Sequence, residues 1–179
     1  ALCDWRYQRM SDAKKFGLHF PIGNDQTLQV LKGHLLLEES IREFLIVLTS
    51  HPAALKGDSG TSFDCHQAIC IVQAFYPFSD QIDWVWESAK RLNRLRNKLA
   101  HNLEPNGVSD SIAAFNKYVY ECAPSQIEEA KNSELGTLKN ADFMFSVMAV
   151  CSQLAVHKEE FKQISHNKCI NTICYTRRC

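Results

Sequence analysis

Apolar residues recur every three or four positions along most of the chain, and strict alternation is rare, so the periodicity is helical throughout. Leu28, Leu31, Leu35, Ile41, Leu45 and Leu48 form one such run. Asn24 or Asp25 precedes it as a capping residue and His51-Pro52 stops it, which predicts a long helix from about 25 to 49. A shorter helix is expected over about 4–16, before Gly17. After the loop Gly57-Asp58-Ser59-Gly60, Ser62 or Asp64 opens a helix carrying Ile69, Val72 and Phe75, which Pro77 ends. Ser79 or Asp80 caps the next, which runs to about Asn102 and meets Pro105-Asn106-Gly107. Ser109 starts another through Ile112, Phe115 and Tyr118-Val119 to Pro124. The last covers about 138–164, with an extension back to Ser125 weakened at Gly136. These elements and short connections predict an all-α, up-and-down bundle of five to six helices.

The 179 residues suit one domain over 1–164, followed by a loosely ordered tail over 165–179. Twenty basic and twenty acidic side chains cancel, so any polyanion must bind a local basic patch rather than a global field. The N-terminus has no basic region followed by an apolar run, and the stretch from Ala141 to Val156 is too short and polar to span a bilayer. A soluble, cytoplasmic protein without membrane contacts is expected. Cys65, Cys70, Cys122 and Cys151 fall inside apolar helical patterns and are expected to be free core cysteines. In the tail, His166, Cys169, Cys174 and Cys179 offer zinc-ligand chemistry but lack the paired short spacings of compact zinc sites. No metal or cofactor is expected.

The densest chemistry lies in the helix expected over 80–102. On a wheel turning about 100° per residue, Val85, Leu92, Leu95, Leu99 and Leu103 form an apolar stripe, and Lys90, Arg94, Asn97 and His101 a polar one. Arg96 lies about 140° from His101, on the apolar side. A buried arginine requires a carboxylate or phosphate, and Glu38, Glu39 and Glu43 on the preceding long helix are candidate partners. Taken singly, a basic run is usually a solvated face, and a helical histidine usually structural. Together, the residue types suit phosphodiester chemistry. Histidine transfers protons near neutrality, arginine forks onto phosphate oxygens, and asparagine can orient one group while donating to another.

Arg96-Asn97-x-x-x-His101, in the setting Leu95-Arg-Asn-Lys-Leu-Ala-His101-Asn-Leu103, resembles the R-x4-6-H signature of HEPN domains. The segment Leu31-Lys-Gly-His-Leu-Leu-Leu-Glu-Glu-Ser-Ile-Arg-Glu-Phe44 is similar to the long early helix of that superfamily, and the resemblance spans about residues 25–160. It implies a metal-independent endoribonuclease, with Arg96 and His101 as the catalytic pair and Asn97 beside them. It also implies a homodimer whose motif helices face each other across a composite cleft. Lys90, Arg91, Arg94 and Lys98 would hold the RNA backbone through salt-sensitive contacts. The implied setting is a toxin, abortive-infection or antiviral defence nuclease, with an antitoxin or defence-system protein as a further partner. One branch departs. HEPN toxins paired with a minimal nucleotidyltransferase antitoxin carry a tyrosine two positions after the histidine, where this chain has Leu103. The rival expectation is a catalytically silent HEPN-like module that binds RNA, a nucleotide or a protein.

Overall fold

A computed structural model describes residues 15–21, 25–55, 63–101, 107–133, 136, 138 and 141–176, with the side chains of 101 and 167–176 excepted. Six α-helices are found among them: α1 (Gln26–Leu48), α2 (Cys65–Phe75), α3 (Asp83–His101), α4 (Val108–Cys122), α5 (Pro124–Lys131) and α6 (Ala141–Thr176). A helical segment over 15–19 and two 3-10 turns, Pro52–Leu55 and Ser79–Ile82, complete the elements. No strand occurs among the described residues, and the fold is an all-α bundle. Most of the first expected helix lies outside the described residues. No described helix is long and apolar enough to cross a membrane.

Local capping sets several boundaries. The Asp25 carboxylate accepts from the Leu28 backbone N–H at 2.9 Å and starts α1. Asp64 and Gln67 form a reciprocal capping box that starts α2. Gly107 sits at φ 70°, a left-handed conformation that glycine adopts without Cβ strain, and opens α4. Pro124 both ends α4 and occupies the first turn of α5, where its missing N–H has no partner to lose. The helix expected to begin near residue 80 starts as the 3-10 turn and becomes α-helical at Asp83. α6 continues past 164 to Thr176, with neither glycine nor proline in that stretch to stop it.

The core stripe of α1 differs from the leucine run that marked it. Val30, Leu37, Ile41, Phe44 and Leu45 are buried, whereas Leu28 and Leu35 face out. Leucines occupy both faces of the first half of this helix, so their spacing does not identify the inward one. α1 packs on α6, α2 and α3, and α3 also touches α2, α4 and α6. Gly33 marks the close approach of α1 to α6, because a Cβ there would lie 3.3 Å from both Phe20 and Val147. Phe44, Tyr76 and Trp86 pack edge-on or tilted, with ring centroids 4.9–6.4 Å apart. Trp86 is fully buried and donates to the Ser79 carbonyl at 3.3 Å. This cluster locks the start of α3 between α1 and α2. Arg96 follows Trp86 along the same helix by about 15 Å.

Candidate anion site between α1, α2 and α3

In a helix, residues three and four apart share a face. His34 and Glu38 are so related on α1, and Asn93, Arg96 and Asn97 on α3. The two faces meet beside Cys65, the first residue of α2, around a cavity of about 320 Å³. The His34 ring is 3% exposed, and its Nε2 lies 2.9 Å from the Asn93 Oδ1. An amide oxygen accepts, so Nε2 carries the proton and Nδ1 presents its lone pair to the cavity. Nδ1 faces the Glu38 Oε2 at 3.8 Å, beyond hydrogen-bond distance. The other Glu38 oxygen receives the Arg42 guanidinium at 2.6 Å. Arg42 also donates to the Phe63 carbonyl, tying the approach of α2 to α1.

Burial holds the His34 pKa below its ordinary value. Arg96 adds to this shift, while Asn93 and Glu38 oppose it. Burial first, then the Glu38 charge, pushes the Cys65 thiol up to about 11. The cavity therefore contains a neutral imidazole and a protonated thiol near neutral pH.

Arg96 is half-buried at this cavity and donates to the Asn97 Oδ1 at 3.1 Å. No described carboxylate lies within ion-pair distance of it. Of the three glutamates expected to partner Arg96, only Glu38 lines the same cavity, and it pairs with Arg42 instead. Glu39 and Glu43 are corrected outright. They lie on another face of α1, where Lys15 reaches Glu39 at 2.6 Å and Lys158 reaches Glu43 at 2.6 Å. The reason is helical phase, since Glu39 and Glu43 are rotated from Glu38 by about 100° and 140°.

The basic residues expected to hold RNA divide between two faces of α3. Arg91, Arg94 and Lys98 line a groove against α4. Arg91 and Arg94 both bond Glu87, at 2.8 and 3.0 Å, and Arg91 stacks 4.1 Å over the Tyr118 ring. Burial raises the Glu87 pKa, but the two arginines outweigh it and hold the carboxyl below its ordinary value. Lys98 reaches the Gly107 carbonyl at 3.3 Å. Lys90 instead donates to Gln73 on α2 at 2.7 Å. Arg96 and Asn97 are thus brought together, and the Lys90–Lys98 set is not gathered into one patch. His101 closes α3, one turn beyond Asn97. Its side chain lies outside the described residues, as do those of Cys169, Cys174 and Cys179.

The cysteine expectation holds in part. Cys65 is buried and Cys151 partly so, but Cys70 and Cys122 are exposed. His34 and Asn93 were not among the residues that the sequence marked for a site, and Cys65 was expected only as a free core cysteine. The available signals were the i,i+4 pair His34/Glu38 and the Asn93 position one turn before Arg96 and Asn97. No family model matches the chain, and neither a curated protein nor a solved structure matches it.

Proposed function

We propose that the chain is a metal-independent endoribonuclease of the HEPN type, acting as a homodimer. The observation that supports this reading is the environment of Arg96. Its guanidinium is half-buried in a polar cavity, oriented by Asn97, with no ion pair to a described carboxylate. A cation in that position is suited to receive a phosphate.

In the proposed reaction His101 removes the proton of a ribose 2′-hydroxyl or delivers one to the leaving 5′-oxygen, and water carries the other proton. The 2′-oxygen–phosphorus bond forms and the bond to the 5′-oxygen breaks, leaving a 2′,3′-cyclic phosphate and a 5′-hydroxyl. Arg96 stabilises charge on the phosphoryl oxygens, and Asn97 keeps that guanidinium in place. Positions 96 and 101 diverge by about 140° on one helix, so the two groups converge only if two subunits supply them. RNA reaches the site past Arg91, Arg94 and Lys98. A toxin or antiviral defence role, with an antitoxin or defence-system partner, follows from the resemblance alone.

A second reading has its own support. The cavity within a single chain already offers the Arg96 guanidinium and the Asn93 and Asn97 amides, groups that can hold a small anion without His101. In that case the protein is a silent HEPN-like binding module. Incubation of the purified chain with mixed RNA in EDTA separates the two. Cleavage lost in both His101→Ala and Arg96→Ala supports the nuclease. Binding without cleavage supports the module.

A further inference from the structure

The same cavity carries a group of metal-ligating side chains that the nuclease reading does not use. A ring nitrogen of His34, a Glu38 carboxylate oxygen and the Cys65 sulfur lie within 4.8 Å of one another, each from a buried or half-buried side chain. We propose that these three residues bind a zinc ion that fastens the start of α2 to α1, beside the anion site and independent of the ribonuclease reading.

The donor set is chemically apt. A thiolate, an imidazole and a carboxylate together suit zinc better than magnesium or calcium, which take oxygen ligands. The supporting contacts are already in place. Asn93 accepts from the far ring nitrogen of His34, which fixes the tautomer and aims the Nδ1 lone pair at the trio. Arg42 occupies one Glu38 oxygen and leaves the other facing His34. His34 Nδ1 has no described hydrogen-bond partner and faces the Glu38 Oε2 at 3.8 Å.

Size and charge agree. Bonds of about 2.0–2.3 Å to tetrahedral zinc place ligand atoms about 3.3–3.8 Å apart, so no pair of the trio closes by more than about 1.5 Å on loading. Cys65 releases its proton to solvent as its sulfur–zinc bond forms. The thiolate and carboxylate ligands then match the ion's two charges. Asp64 is engaged at the Gln67 N–H, at 2.8 Å. Water from the cavity completes the proposed tetrahedron.

The test uses the metal-free full chain titrated with Co²⁺ as a spectroscopic probe and then with Zn²⁺. One equivalent of Co²⁺ per chain should give a thiolate-to-metal charge-transfer band and tetrahedral visible bands, both displaced by Zn²⁺. Cys65→Ser should abolish the charge-transfer band. Glu38→Gln, a shape-preserving change at a partly exposed side chain whose folding circular dichroism would verify, should weaken zinc by about tenfold or more. Cys169→Ser/Cys174→Ser should leave both signals intact. Zinc should raise the Tm of the wild type and not that of Cys65→Ser. The proposal is overturned if the band survives in Cys65→Ser, if it vanishes in the tail variant, or if no zinc binds at micromolar concentration. None of these readouts depends on RNA cleavage, so failure here leaves the nuclease reading untouched, and the reverse.

Discussion

The two sides of α3 carry similar arginines in opposite circumstances. Facing α4, Arg91 and Arg94 share the Glu87 carboxylate, and Arg91 also lies over Tyr118. Facing α1 and α2, Arg96 meets an amide oxygen and a cavity. In a chain whose charges sum to zero, the number of cations says little about anion binding. What matters is which cation the fold leaves without a carboxylate. A guanidinium already paired must break that pair before it can take a phosphate, whereas Arg96 need only keep its bond to Asn97.

The largest expected effect follows from that contrast. Arg96→Ala should reduce RNA cleavage by a factor on the order of 10² or more, because transition-state charge loses its stabiliser. Arg91→Ala should reduce it only slightly, with a deficit that fades as salt rises. Cleavage rates over a salt series check both, and equal losses in the two variants would erase the distinction between the faces.

Next in size is Asn93→Ala. Removing the amide leaves the buried His34 Nε2–H without its acceptor, at a cost of about 1–3 kcal/mol in unfolding free energy. Urea denaturation measures it, and an unchanged midpoint would mean the His34–Asn93 bond does not organise the cavity.

A third prediction concerns the far face of α1, where the carboxylates are neutralised. Burial raises the Glu43 pKa, but Lys158 and then Lys15 outweigh it and the net shift is downward. A depressed carboxyl contributes stability above its unfolded pKa, about 4.3, and loses it as pH falls through the lower folded value. Glu43→Gln should therefore be less stable than wild type near neutrality and approach it in acid. Tm values measured across pH 2–7 (a window of about five units) should converge at the low end. A constant gap between the two proteins would contradict the assignment.

The smallest effect expected is the loss of about 0.5–1 kcal/mol in Arg91→Ala, from its contact with Tyr118 and its share of an exposed ion pair. A loss several times larger would mean that the α4 face of α3 is held by its charges rather than by Leu95 and Phe115.

Much of this architecture was legible in the sequence, and the reason is local. Asp25, and Asp64 with Gln67, cap helices through contacts three residues away, and the His51-Pro52 and Pro124 boundaries depend on chain chemistry alone. The burial of α1 was less legible, because Leu28 and Leu35 carry the same apolar character as the buried Leu37. Arg96 and Asn97 could be singled out because they are adjacent in one motif. The rest of the cavity could not. His34, Asn93 and Cys65 come from three helices, and only tertiary packing brings them together. The same holds for the misassigned Glu39 and Glu43, whose phase on α1 relative to Arg96 depends on how α1 and α3 cross.

The central claim, that Arg96 and His101 act together from two subunits, is tested most directly by mixing two inactive variants. Arg96→Ala and His101→Ala chains should each fail to cut RNA alone. Co-refolded, they form mixed dimers in which one composite site regains an arginine from one chain and a histidine from the other. RNA cleavage in EDTA should reappear in the mixture, at a fraction of the wild-type rate. A mixture as inactive as its parents, beside a wild type that cuts RNA, would contradict the composite site.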